Sequence, residues 1–254
     1  MAFEPTFREG LVPRESVFIT TKLWGTDHRP SRVKPALKRM LKDLRLDYVD
    51  LLLIHWPVAL VSGSDTRRDG GVSMVETWRA MEALVAQGLV KGIGVSNFNV
   101  GQLRALIRHA HIPPAVNQVE LHPYLPQSKV VAFCREHSIQ VVGYSPLGSG
   151  GGEGQQGPPT PLLKHKTVQR WAKKMGKTPA QALIKWALQK GVVSIPKSVQ
   201  PHRIEENFAV WHWHLNDIAL MSISAMKETP WRYITGEKWF KPKQTVQEFW
   251  DDEY

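Results

Sequence analysis

Residues 48–57 read Tyr48-Val49-Asp50-Leu51-Leu52-Leu53-Ile54-His55-Trp56-Pro57. A nearly continuous apolar run of this kind is found in strands buried on both faces of a parallel sheet. A histidine follows it directly, at the carboxyl end. Upstream, Val17 to Thr20 predicts a strand, and a helix is expected from Ser31, where Val33, Leu37, Met40, Leu41 and Leu44 recur at spacings of three and four. Downstream, Met74 to Gln87 reads as a helix ended by Gly88, followed by a strand over Val90 to Val95 and a helix over Val100 to Ala110. The next strands are expected at Val116 to Leu121, Gln140 to Tyr144 and Val192 to Ile195, with helices at Ser128 to His137, Lys164 to Met175, Pro179 to Lys190 and from His202. Thr178 followed by Pro179 predicts an N-cap with proline at the first helical position.

Strand followed by helix six times over implies a parallel sheet joined by right-handed crossovers. Six strands suit an open doubly wound sheet as well as an α/β barrel. Two features favour the barrel. The glycine pair of Gly92-Ile93-Gly94 lacks the third glycine of the dinucleotide fingerprint, and polar residues recur where the strands end, the face on which barrels keep their chemistry. The expected fold is therefore α/β, of (β/α)8 TIM-barrel type with six βα units seen. Residues 1–254 form a single domain in this reading, with a tail from about 226 lying over the barrel mouth.

With 254 residues, 42% of them hydrophobic, the chain can bury one substantial core. Its single cysteine, Cys134, excludes an internal disulfide and reads as a packed helix face. No apolar run approaches a membrane span, and the first residues lack a charged segment followed by an apolar one, so a cytoplasmic protein is expected. The formal net charge of +10 raises the question of nucleic acid. The basic residues are dispersed, as in Arg32, Lys34, Lys38, Arg39 and Lys42, and suit a solvated helix face; nucleic-acid binding is not expected. Residues 148–161 are rich in glycine and proline but lack the P-loop pattern. Trp211-His212-Trp213-His214 offers two histidines without a third ligand, and packing is the expected role rather than metal binding.

The polar groups at the strand ends are Lys22, His55, Ser96-Asn97, Gln118 with Glu120, Tyr144-Ser145 and Lys197-Ser198. Set in Thr21-Lys22-Leu23-Trp24, Ile54-His55-Trp56-Pro57, Gly94-Val95-Ser96-Asn97-Phe98, Asn117-Gln118-Val119-Glu120, and Ile195-Pro196-Lys197-Ser198 with Arg203-Ile204-Glu205-Glu206-Asn207, they resemble the aldo-keto reductases over essentially the whole chain. The resemblance implies NADPH-dependent reduction of an aldehyde or ketone to an alcohol. In that chemistry hydride adds to the carbonyl carbon while a tyrosine acid protonates the oxygen, its pKa lowered by a neighbouring ammonium. Lys22 matches the lysine and His55 the histidine that orients the carbonyl.

Ser96, Asn97 and Gln118 match the groups that hold the nicotinamide carboxamide, and Tyr144 the ring that stacks on it. Ser145, Leu147 and Ser149 match the pyrophosphate loop. Lys197, Ser198 and Arg203 match the 2′-phosphate site, with Glu206 and Asn207 at the adenine; two cations and a hydroxyl around a phosphate suit NADPH over NADH. Trp24, Trp56 and Trp231, with Trp239, suggest an aromatic substrate pocket, and residues 148–161 a strap over the cofactor. The partners implied are a small carbonyl substrate and no metal; a monomer is expected, with dimerisation through open barrel edges as the alternative.

The family's Gly-x-Arg-x-x-Asp-x-Ala-x-x-Tyr-type segment is not matched here, and the 21 residues before Lys22 contain neither Asp nor Tyr. The expectation is a barrel without its first two βα units. A catalytically silent NADPH-binding or scaffold protein, or a truncated inactive isoform, is the competing reading.

Overall fold

The computed structural model describes residues 12–148, 158, 160–228 and 231–251. Six parallel-sheet strands follow one another in chain order: β1 (Thr20–Leu23), β2 (Val49–Ile54), β3 (Val90–Ser96), β4 (Val116–Glu120), β5 (Gln140–Tyr144) and β6 (Val193–Ser194). Between and after them lie helices α1 (Pro30–Leu44), α2 (Met74–Ala86), α3 (Val100–Ile107), α4 (Ser128–Glu136), α5 (Lys166–Lys174), α6 (Pro179–Gln189), α7 (Pro201–Phe208), α8 (Asp217–Ser224) and α9 (Val246–Trp250). The chain forms two compact units that meet in sequence at Asn117 and Gln118.

In the first unit every residue of β2 is buried, including Asp50. Its carboxylate is tolerated because it accepts from the Ile19 N–H (2.9 Å) and pairs with Arg14 (2.8 Å) and Lys91 (3.1 Å). These bonds, and the Ile19 carbonyl accepting from the Asp50 and Leu51 N–H groups, hold the chain entering β1. They also explain a displacement. The apolar run Val17 to Thr20 predicts the strand three residues early, whereas the ladder pairs Thr20 to Leu23 with Leu51 to Ile54 and leaves Phe18 71% exposed. Helix α1 starts on Pro30 at N1 and buries Val33, Ala36, Leu37 and Leu41 against β1 and α2. Helix α2 begins with a reciprocal capping box between Ser73 and Glu76 and buries Trp78, whose indole donates to the Ile112 carbonyl (3.0 Å).

Strand β3 pairs with β2 from Val49↔Val90 to Ile54↔Val95. A Cβ on Gly94 would lie 2.7 Å from Leu53 Cδ2 and 2.7 Å from the Val116 carbonyl oxygen, whereas one on Gly92 finds nothing nearer than 3.6 Å. Only Gly94 is a packing requirement. Gly94→Ala should destabilise the protein by ~1–3 kcal/mol and Gly92→Ala should be neutral or slightly stabilising; urea unfolding of the two variants separates them.

In the second unit β5 pairs with β6 through Val142↔Val193 and Gly143↔Ser194. β6 keeps only two of the four residues expected, and Val193 is 44% exposed. Helix α6 is capped as expected: Thr178 Oγ1 accepts from Gln181 N (3.2 Å) and Gln181 Oε1 accepts from Thr178 N (3.1 Å). It packs on α5, α7 and β6. Cys134 is fully buried in α4. In the Trp-His repeat Trp213 is half-buried and donates to the Ala209 carbonyl (3.2 Å) under Lys177 and Lys185, while the Trp211 ring meets Phe208 edge to face at 5.9 Å. Trp211, His212 and His214 are exposed, which corrects the expectation that the whole repeat is packing. Residues 211–214 form no strand, so alternate residues do not share a buried strand face. Among the described residues no group of histidine, cysteine and carboxylate side chains is arranged to hold a metal, and no helix is long and apolar enough to cross a membrane.

Candidate active site

The first unit brings together Lys22, His55, Ser96 and Asn97. Lys22 is paired with Leu53 in the ladder, and His55 lies two residues beyond Leu53, so both side chains leave the same face of the sheet at its carboxyl end. The His55 N–H donates to the Leu23 carbonyl (3.0 Å), which sets its position. Asn97 adopts a left-handed conformation (φ 63). Its amide donates to the His55 carbonyl (2.9 Å) and lies 3.2 Å from Ser96 Oγ. Trp24 meets His55 edge to face at 5.1 Å, and its indole N–H donates to Asp65 (3.2 Å). Trp56 is buried.

Burial lowers the Lys22 pKa. Burial, reinforced by the Lys22 charge, brings His55 to about 4. His55 is therefore a neutral imidazole at pH 7, able to donate or accept a hydrogen bond without competing as a cation. No carboxylate pairs with Lys22 among the described residues. Close by in sequence, His28 is fully buried and also falls to about 4, chiefly through burial, with the Leu23 carbonyl and Asp27 opposing the fall and His55 adding to it. Sequence reading passed over His28, since a histidine in the Gly25-Thr26-Asp27-His28 turn carries no mark of its burial.

In the second unit a cavity of about 530 Å³ is lined by Leu147 and Gly148 after β5, by Thr178 and Pro179 at the start of α6, by Lys197, Ser198, Arg203, Glu206 and Asn207, and by Tyr233. Six of the residues that sequence assigns to a cofactor thus share one hollow. Its geometry is local. The Ser198 hydroxyl accepts from Gln200 N (3.1 Å) just before α7, Pro201 opens that helix, and Arg203, Glu206 and Asn207 follow on its first turns. Glu206 accepts from the Thr178 hydroxyl (2.5 Å), and Gln181 donates to the Glu206 carbonyl (3.1 Å), tying α7 to α6. The lining holds Lys197 and Arg203 with the hydroxyl-bearing Ser198, Thr178 and Tyr233 beside apolar Leu147 and Pro161, a chemistry suited to a phosphate attached to an aromatic base.

Gln118 is buried on β4, and Tyr144 is half-buried at the end of β5, where burial and then the Glu120 charge raise its phenol pKa. Ser145 follows with φ 52. Ser149 and most of residues 148–161, including any strap, lie outside the described residues. The Trp231 backbone N–H donates to the Tyr124 carbonyl (3.3 Å), and Trp239 is buried. Two side chains that sequence reading left without a role belong to this region: Glu120, wholly buried, and Tyr233 on the cavity wall.

Comparison with known proteins shows the family and the fold. The Aldo/keto reductase family profile matches residues 4–228. An aldo/keto reductase of Synechocystis sp. is 42% identical over 257 residues, covering 97% of this chain and 78% of the relative. Aldo-keto reductase family 1 member A1 of Xenopus tropicalis is 45% identical over 229 residues, covering 87% and 70%. The structure of the aldose reductase from Schistosoma japonicum superposes with a TM-score of 0.85 at 38% identity, covering 93% of this chain and 77% of that one. The chain belongs to the aldo-keto reductase family and has its α/β barrel-type fold.

Proposed function

We propose that this chain is an NADPH-binding member of the family whose chemistry is the reduction of an aldehyde or ketone to an alcohol. The observation that carries the reading is the cavity that gathers Leu147, Lys197, Ser198, Arg203, Glu206 and Asn207. In it Lys197, Arg203 and Ser198 hold the 2′-phosphate, and Glu206 and Asn207 face the adenine. Ser96, Asn97 and Gln118 hold the carboxamide and Tyr144 offers its ring to the nicotinamide, with Ser145, Leu147 and Ser149 at the pyrophosphate. When bound, the dinucleotide supplies the hydride. His55, held neutral, orients the carbonyl oxygen, and Lys22 offers the positive charge that stabilises oxygen as it gains negative charge. Trp24 and Trp56 offer aromatic surface to the substrate, and the resemblance gives Trp231 the same role. A single domain acting on a small carbonyl compound in the cytoplasm completes the reading.

A second reading, a catalytically silent NADPH binder, is favoured by a specific observation. A tyrosine acid needs a lowered pKa, yet burial raises Tyr124 and Tyr144 and pushes Tyr233 up to about 12. Tyr48 sits before β2, at the end opposite His55, beneath Arg14 and Lys91. Among the described residues Lys22 likewise has no carboxylate partner. Fluorescence titration separates the possibilities. The chain should bind NADPH far more tightly than NADH, and Lys197→Met or Arg203→Met should each weaken NADPH about tenfold or more while leaving NADH nearly unchanged, since each removes a charge-assisted bond to the phosphate. Equal affinity for the two nucleotides in the unaltered chain would overturn the assignment of the cavity.

A further inference from the structure

Glu120 closes β4 and is completely buried. A buried carboxylate is costly unless its oxygens are bonded. Here Oε1 accepts from the Tyr233 N–H (2.7 Å), Oε2 accepts from the Ile234 N–H (2.9 Å), and the His122 Nε2 lies 2.9 Å from Oε1. Two successive backbone N–H groups, more than a hundred residues away in sequence, are thus gripped by one carboxylate. The grip is reinforced on the same side of the tail: the Trp231 N–H donates to the Tyr124 carbonyl, and the His122 ring, itself fully buried, meets the Tyr233 ring edge to face at 5.3 Å.

The Tyr233 side chain reaches the loop after β5. Its hydroxyl oxygen lies 2.7 Å from where a Cβ on Gly148 would sit, so the ring covers the backbone of the loop after β5 and forms one wall of the cavity that holds Lys197, Ser198 and Arg203. Residue 148 has φ 80, so only glycine suits both its backbone and this close approach.

We infer that Glu120 is a positioning residue: its carboxylate latches the C-terminal segment through the Tyr233 and Ile234 N–H groups, and that latch holds the Tyr233 ring as a wall of the phosphate cavity. The latch itself is independent of any ligand; its consequence for binding rests on the cofactor reading given above. A carboxylate is required because it alone offers an accepting oxygen to each N–H. A glutamine presents an NH2 group to one of them, which leaves a buried donor facing a donor.

Amide hydrogen exchange and equilibrium binding of adenosine 2′,5′-bisphosphate test the two halves separately. In the unaltered chain the Tyr233 and Ile234 amides should be among the slowest to exchange in the tail. Glu120→Gln should speed their exchange about tenfold or more and weaken the bisphosphate several-fold. Tyr233→Ala keeps the backbone N–H and should keep the slow exchange, yet weaken the bisphosphate to a similar degree. Fast exchange of both amides in the unaltered chain overturns the latch, even if Glu120→Gln fails to fold. Faster exchange in Glu120→Gln with unchanged affinity overturns the link to the cavity. If the unaltered chain does not bind the bisphosphate at all, the cofactor reading fails, while the exchange data still decide the latch.

Discussion

Given NADPH and an aldehyde, this chain should turn over about 10²–10⁴-fold more slowly than an enzyme with a positioned tyrosine acid, the range by which loss of a general acid slows proton transfer. The direction follows from the phenols this chain possesses. Burial makes Tyr124, Tyr144 and Tyr233 weaker acids than free tyrosine, and the Glu120 charge adds to this at Tyr144 and Tyr233. Tyr124 is further committed, its hydroxyl donating to the Thr160 carbonyl (2.8 Å). Lys22 and His55 can still stabilise and orient a carbonyl, so the residual rate should depend on them: Lys22→Met and His55→Gln should each lower it further. Single-turnover loss of NADPH absorbance, measured with saturating aldehyde, checks this. A rate free of that deficit would mean that a residue of this chain serves as the acid, and substitution of Tyr124 and Tyr233 in turn would find it.

Acid should destabilise the protein between pH 6.5 and 4, and His28 should account for much of the loss. Its pKa is about 4 when folded, against 6.5 for the free group. Between those values the unfolded chain binds the proton and the folded chain does not, so stability is complete above 6.5 and falls as the pH drops. The difference corresponds to about 3 kcal/mol by the time the folded group is protonated. His55 titrates over the same window and acts in the same direction, with a smaller effect because it is partly exposed. Urea unfolding at a series of pH values tests this. His28→Gln should flatten the profile between pH 6.5 and 4, whatever it does to stability at pH 7. A profile unchanged by the substitution would mean that His28 can be protonated in place.

Much of the architecture was legible because its signals are local. The apolar run Val49 to Ile54, the period of α1 and the Thr178-Pro179 cap depend on neighbours a few residues apart, and each appears where expected. The errors arise where a distant partner decides. Val17 to Thr20 looks more strand-like than Thr20 to Leu23, yet the Asp50 carboxylate captures Ile19 and sets the register further along. Trp211 is as apolar as Trp213, but only the second meets two lysine ammonium groups and a carbonyl.

The cofactor candidates were readable as motifs, since Lys197, Ser198, Arg203, Glu206 and Asn207 fall within eleven positions and Ser96-Asn97 are adjacent. Sequence by itself determined the family, the alternation of strand and helix, and the residue types available to a phosphorylated dinucleotide. Tertiary structure alone decided that Leu147 joins Lys197 and Arg203 around one cavity, that Gly94 rather than Gly92 is indispensable, and that Glu120 grips the tail. It also decided that His28 and His55 are neutral and that Tyr124, Tyr144 and Tyr233 are weaker acids than free tyrosine. The reason is physical: a side chain's type is written at its position, but its burial and its charged neighbours depend on chain segments tens to hundreds of residues away, and these set both packing and proton affinity.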